Sequence, residues 1–298
     1  MQNSQIRLSR ARRRQSRRKA HIVSRTLLTL VALLILLPVF LTALYSFFSP
    51  QEIQAFMKTR GNYDAQAWMD IKLAPQVFSL SQYYNILIED VSVLRLLVNS
   101  AMYTAAILVG QALVIPLMAY ALSRFKFPGR DGIFFMIIML MLLPFQVTMV
   151  PNVLTLRRLG LLNTVWSIIL PTVFSPFYIF LLRQFMVGLP KELIEAAQID
   201  GSGTFRSFIH VVIPVCRPIL GAAAALSFAD CWNLVEQPLT YLTQRADLMP
   251  LSVMFNQLTE NSSGVEFAGA ALYILPALFI YLYFQQDILM GVQLTELK

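Results

Sequence analysis

Charge is the scarcest thing in this sequence: 13% of its 298 residues are Asp, Glu, Lys or Arg, about half the share of a soluble domain. Thin charge excludes a disordered tail, and with 57% hydrophobic residues it excludes an ordinary soluble core. That much apolar surface needs lipid as part of its solvent. Cysteine is nearly absent, with two residues, which excludes a disulfide scaffold. Cys216 and Cys231 fall fifteen residues apart on one expected helix, about 22 Å along its axis and too far for a bridge. The two histidines, His21 and His210, are far apart and belong to no metal-ligand pattern. None of the six lysines follows a glycine, so the chain has no P-loop. No Ser-His-Asp set or paired-carboxylate signature stands out either, and catalytic and metal-binding residues are expected to be absent.

What charge there is sits unevenly. Nine basic residues and no acidic one precede Thr26, and the remainder holds fifteen basic against sixteen acidic. A basic arm before a long apolar run reads as a signal that holds the N-terminus in the cytoplasm. Binding of nucleic acid or anionic lipid by the arm is the alternative.

Uncharged stretches predict six membrane spans, at residues 26–51, 96–123, 132–156, 159–182, 211–235 and 267–286. Each is about 20 residues or more, enough to cross roughly 30 Å of hydrocarbon as helix. The fifth is the weakest, with Arg217 near one end and Asp230 near the other. An inside N-terminus then places seventeen of the twenty-four Lys and Arg residues in cytoplasmic segments and seven outside, as the positive-inside rule requires. Every span contains proline, which bends helices. The resulting class is an all-α polytopic membrane protein. Its parts are a cytoplasmic arm at 1–25, a first span at 26–51, an extracytoplasmic loop at 52–94, a core at 95–290 and a cytoplasmic tail at 291–298. In the first outer loop Tyr63, Trp68, Tyr83 and Tyr84 suit an aromatic belt. Asn261-Ser262-Ser263 fits a glycosylation pattern, which is frequent by chance.

The informative segment is LPKELIEAAQIDGSGTFRSFIHVVIPVCRPIL, residues 189–220. Pro190 suits the first turn of a helix. The next residues to Ile199 read as a short amphipathic helix, with Leu193, Ala196 and Ala197 toward one side and Glu192 and Glu195 available to a partner. Asp200-Gly201 ends it, since Gly201 permits positive φ. Ser202 is expected to cap a second helix through Phe205, Phe208 and Ile209. Pro214 and Pro218 should bend the entry to the fifth span. The picture is a helix–turn–helix across the membrane face, which could enter a groove on another protein or lie on lipid.

Glu195-Ala196-Ala197, Gly201 after three residues, and a later apolar run ending at Pro214 resemble the EAA loop of ABC importer permeases. The stretches AYALSRFKFPGR (119–130), LLPFQVTMVPNVLTLRRLGLLNT (142–164), ILP (169–171) and FLLRQF (180–185) are similar to the second permease subunit of maltose-type importers. So are Trp232-Asn233 and Pro238-Leu239. The resemblance implies a type I ABC importer transmembrane fold with a cytoplasmic coupling helix. It implies an inner-membrane assembly with a homologous permease, two ATP-binding subunits and an extracytoplasmic solute-binding protein, and no nucleic acid. Glu195, Ala196, Ala197, Asp200 and Gly201 would form the ATPase-coupling contact. This chain would bind no cofactor itself, with ATP and Mg held on the partner ATPases. The implied solute is a sugar, oligosaccharide or related compound.

Intramembrane polar residues are functional candidates by default. Asn99, Gln111, Gln146, Asp230 and Asn233 qualify, with Trp232 beside two of them; interhelical glue is the alternative role, and no substrate contact is assigned. Two rival functions stay open. An ion-coupled secondary transporter should show inverted repeats and ion-site carboxylates, but no repeat is visible and Asp230 is the one clear acid within a span. A membrane-anchored interaction protein would act through its basic arm.

Overall fold

The computed structural model describes the backbone of residues 2–54, 72–89, 91–257 and 266–296, and side chains within 24–54, 72–89, 92–254 and 266–290. The side chain of His21, the residues Tyr63 and Trp68, and Asn261-Ser262-Ser263 lie outside the described residues. Among the described residues all regular structure is helical: α1 (Gln2–Tyr45), α2 (Ser81–Tyr84), α3 (Val91–Arg124), α4 (Arg130–Leu142), α5 (Phe145–Arg158), α6 (Trp166–Val173), α7 (Pro176–Val187), α8 (Glu192–Ile199), α9 (Thr204–Ser207), α10 (Arg217–Trp232), α11 (Glu236–Tyr241), α12 (Leu251–Gln257) and α13 (Glu266–Glu296). From α9 the chain runs on through a π-helical turn, Phe208–Val212, and a last turn, Ile213–Val215.

Four helical stretches are long and apolar enough to cross a membrane: Ser24–Tyr45, Ser92–Arg124, Trp166–Val187 and Glu266–Met290. Two further spans are broken. The expected third span is α4 and α5, bent by 109° at Leu143-Pro144, and the fifth enters through Thr204–Val215 and turns 74° into α10. Proline explains both corners. Pro144 has no N–H to continue α4 and stands at the N-cap of α5 with ψ 148°, while Pro218 occupies the first turn of α10. The fourth span begins at Trp166 rather than at residue 159, because Gly160 and Asn163 both take positive φ and hold the chain in a turn. The sixth extends past residue 286 to Met290. Asp287 therefore joins Asp230 as an acidic residue within a span, correcting the expectation of one.

The chain divides into two compact units. In the unit formed by Met1–Asn85 and Ser262–Ala271, α1 leaves an apolar run such as Leu34 and Phe40 exposed, as a lipid-facing helix should. Its end, Tyr45, packs with Phe48, Ile53 and Phe267. The buried Gln82 pins this cluster: its Nε2 donates to the carbonyls of Tyr45 and Phe48 at 2.8 Å, and its Oε1 accepts from the Ala268 N–H at 3.3 Å.

The second unit, Ile86–Asn261 and Leu272–Lys298, is organised around α3. One core joins Ile115, Ala119 and Tyr120 of α3 to Tyr178, Leu182 and Met186 of α7 and to Phe208, Cys216 and Ile219. A second joins Tyr103 and Ile107 to Leu156, Ile168, Cys231 and Tyr241. Both cysteines are free and buried. Gly221 of α10 lies so close to Asp287 of α13 that an added Cβ would come within 2.5 Å of the carboxylate. Farther along α10 the Trp232 ring stacks on Tyr273 at 5.4 Å.

Candidate functional site

Residues 189–215 form the expected hairpin. Helix α8 begins after Pro190, and Glu192 and Glu195 in its first turn complement the positive end of the helix dipole. Its C-terminus is a Schellman turn: Gly201 has φ +82°, the Gly201 N–H donates to the Gln198 carbonyl at 3.0 Å, and the Ser202 N–H donates to Ala197 at 2.9 Å. An L-residue is strained at that φ. Ser202 thus closes the first helix through its backbone and does not cap the second. Helix α9 starts at Thr204, with Gly203 at its N-cap and no side-chain cap.

The buried side of α8 is rotated by one residue from the expected one. Ile194 packs against the core and Ala197 is half-buried, while Leu193 is exposed, along with Glu192, Glu195 and Ala196. Ile199 is 86% exposed and Phe205 is 65% exposed. Asp200 follows the last turn, also exposed. Among the described residues, no salt bridge involves Glu192, Glu195 or Asp200. The five residues Glu195, Ala196, Ala197, Asp200 and Gly201 therefore lie together on one turn and its stop, and four of them are exposed.

The intramembrane polar residues separate into two sets. Asn99 and Gln111 are buried and hydrogen-bonded to distant segments. Asn99 Nδ2 donates to the carbonyls of Asp247 at 2.9 Å and Met249 at 3.0 Å. Gln111 Nε2 donates to the Thr172 carbonyl at 2.9 Å, and its Oε1 accepts from Ser227. They hold helices and turns together. Gln146, Asp230 and Asn233 are exposed. Tyr178 donates to Asp230 Oδ2 at 2.6 Å, Gln146 reaches Glu236 at 3.2 Å, and Tyr273 donates to Asn233 Oδ1 at 2.9 Å. Trp232 itself is buried. Glu236 and Gln237 belong beside this second set, and sequence reading passed over them because they follow the expected fifth span. Thr172 donates to Gln237 at 2.9 Å. Among the described residues, no group of three or more His, Cys, Asp or Glu side chains could hold a metal ion.

Residues 111–288 match the family model of the binding-protein-dependent transport system inner membrane component. The chain belongs to this family. The permease is similar to the arabinooligosaccharides transport system permease protein of Halalkalibacterium halodurans, 30% identical over 203 residues, 67% of this chain and 72% of that one. It is similar to the diacetylchitobiose uptake system permease protein of Streptomyces coelicolor, 32% identical over 205 residues, 67% and 68% of the two chains. The sn-glycerol-3-phosphate transport system permease protein of Escherichia coli is 32% identical over 227 residues, 74% of this chain and 76% of that one. A crystal structure of a bacterial ABC transporter that imports the acidic polysaccharide alginate matches with a TM-score of 0.77 and 24% identity, covering 91% of this chain and 97% of that chain; it shares the fold. The permease is thus a multi-pass protein of the inner membrane, and its hairpin and all of these polar residues except Asn99 fall within residues 111–288.

Proposed function

We propose that this permease is one of two homologous membrane subunits of an ATP-driven importer, and that α8 is its coupling helix. One of two ATP-binding subunits receives α8, and an extracytoplasmic solute-binding protein delivers the solute. The observation that carries this reading is the face of α8. Glu192, Glu195 and Ile199 are exposed, small Ala196 lies between them, and a Schellman turn fixes the helix end. Such a face suits a groove with a basic rim and an apolar floor. Glu195 would meet a cation there, and Ala196 with Ala197 would allow close approach.

The basic arm, the 17-to-7 division of Lys and Arg and the acidic hairpin support cytoplasmic termini. The family and the oligosaccharide relatives support a sugar or oligosaccharide as solute. ATP and Mg belong to the partner subunits, since no lysine here follows a glycine.

Glu195→Lys places a cation against the basic rim. Loss of a paired charge at a buried interface costs about 2–5 kcal/mol, so import of the solute carried by the co-purified binding protein should fall at least tenfold. The assembled spans should keep their yield and thermal midpoint. Normal import by this variant would show that α8 does not dock as described.

A further inference from the structure

We infer that the end of α3 is the fulcrum on which the hairpin turns, with Arg124 as its polar pin. This rests on the docking role of α8 given above. Arg124 is the last residue of α3. Its Nη2 donates to the carbonyls of Met186 at 2.7 Å and Leu189 at 2.9 Å. Helix α7 ends at Val187 with Gly188 as its C-cap, so the Met186 carbonyl lies in the last turn, where partial negative charge collects, and the Leu189 carbonyl just beyond it. Leu189 is three residues before α8. The guanidinium therefore grips the chain where it leaves the fourth span for the hairpin.

One helical turn earlier on the same face of α3, Tyr120 holds the other arm. Its ring lies 4.8 Å from Phe208, which leads the hairpin back to the fifth span. The two arms of the hairpin are thus fastened to one helix, by a charge-assisted pair of hydrogen bonds on one side and by aromatic packing on the other. Helix α8 itself adds only Ile194 to that core. Among the described residues the buried Arg124 Nε has no partner, a costly arrangement for a donor. The group is placed to suit the two carbonyls, at the expense of its Nε–H.

A push on α8 would then rotate α3 with it. Arg124 is a positioning residue, and its loss should let the hairpin move without the span. The test uses the whole importer complex in lipid, with spin labels at Gln198→Cys and Lys126→Cys, both exposed positions; the two native thiols are buried. Distances are read by pulsed electron resonance without nucleotide and with ATP and Mg. With Arg124 present, a single distance should persist in both states. Arg124→Gln should add a second distance that grows with nucleotide, its population raised about tenfold for the loss of charge-assisted bonds. Arg124→Lys, which keeps the charge, should suppress much of that second population. A merely structural role would change yield but not this nucleotide dependence. Should Arg124→Gln fail to assemble, Arg124→Lys still decides the matter through a weaker second population. One unchanged distance in the assembled variants would overturn the fulcrum. Cross-linking of Gln198→Cys to the ATPase in the parent complex keeps the two ideas apart. Capture in the parent complex with one unchanged distance in the assembled Arg124 variants refutes the fulcrum alone, and failure to capture refutes docking and the fulcrum with it.

Discussion

The segments before and after α10, residues 189–215 and 233–254, are both made of short helices and turns, yet they are held in opposite ways. The earlier one is fastened at its two arms and presents its acids and apolar tips to the outside. The later one is stitched along its length. Asn99 takes two of its carbonyls, Tyr103 donates to the Leu248 carbonyl at 2.9 Å, and Ser100 accepts from the Leu251 N–H at 2.9 Å. The Asn163 carboxamide oxygen accepts from the Gln244 N–H at 3.0 Å, and the Asn163 backbone N–H donates to the Tyr241 carbonyl at 2.9 Å. On the proposed docking, the loop that meets another subunit keeps its side chains uncommitted. A loop that must keep one shape spends the polar groups of the neighbouring span on its backbone.

The contrast breaks most sharply at Gly201. Gly201→Val forces a β-branched residue into φ +82°, which costs more than the 1–2 kcal/mol typical of L-residues there. Space is not the obstacle, since nothing lies within 4 Å of the position. The turn should reshape and import should fall more than tenfold, while the thermal midpoint of the complex changes little because the site is exposed. A normal import rate would remove the need for this turn.

Asn99→Leu attacks the stitched segment. It leaves the carbonyls of Asp247 and Met249 without their donor and should cost about 1–2 kcal/mol. Amide hydrogen exchange at 247–251 should quicken by roughly tenfold, with exchange at 192–201 unchanged. Equal acceleration in both segments would mean that the two are not held independently.

The smallest effect belongs to Asp247. Arg245 grips it through two bonds at 2.8 Å and holds its carboxyl below the usual carboxylate range. A depressed carboxylate pKa adds stability above the unfolded value, near 4, and loses it as pH falls through the folded value. Protection of the amides at 247–251, corrected for intrinsic exchange, should therefore be constant between pH 8 and 5 on this account and fall only in stronger acid. Because the pair is exposed, Asp247→Asn should shift exchange far less than Asn99→Leu.

Much of this architecture can be read from the residues. Long uncharged runs mark the first, second and sixth spans, because hydrophobic length is local information. Gly201 announces its turn because few other residues tolerate that backbone. The 109° corner at Leu143-Pro144 was legible only as a bend of unknown size, since proline removes a bond but neighbours choose the angle. Asn99 and Gln111 stand out in the sequence as polar residues within spans, with a functional role and interhelical glue both open. Their partners are distant in sequence, Met249 and Ser227 among them, so only the folded chain shows them as glue. The face of α8 slipped by one residue for the same reason: Leu193 and Ile194 are equally apolar, and the core on α3 and α7 selects Ile194. Asp287 was missed because the uncharged run stops just before it.

The pairing of Trp232 with Tyr273 constrains how the transporter can work. Trp232 Nε1 donates to the Tyr273 carbonyl at 3.0 Å, and the Tyr273 hydroxyl donates back to the Trp232 carbonyl at 2.7 Å. Each ring is thus tethered to the other helix's main chain, and sliding one helix along the other would sever both tethers at once. Helices α10 and α13 are obliged to travel as a couple, and any shear in the transport cycle must be accommodated elsewhere in the bundle.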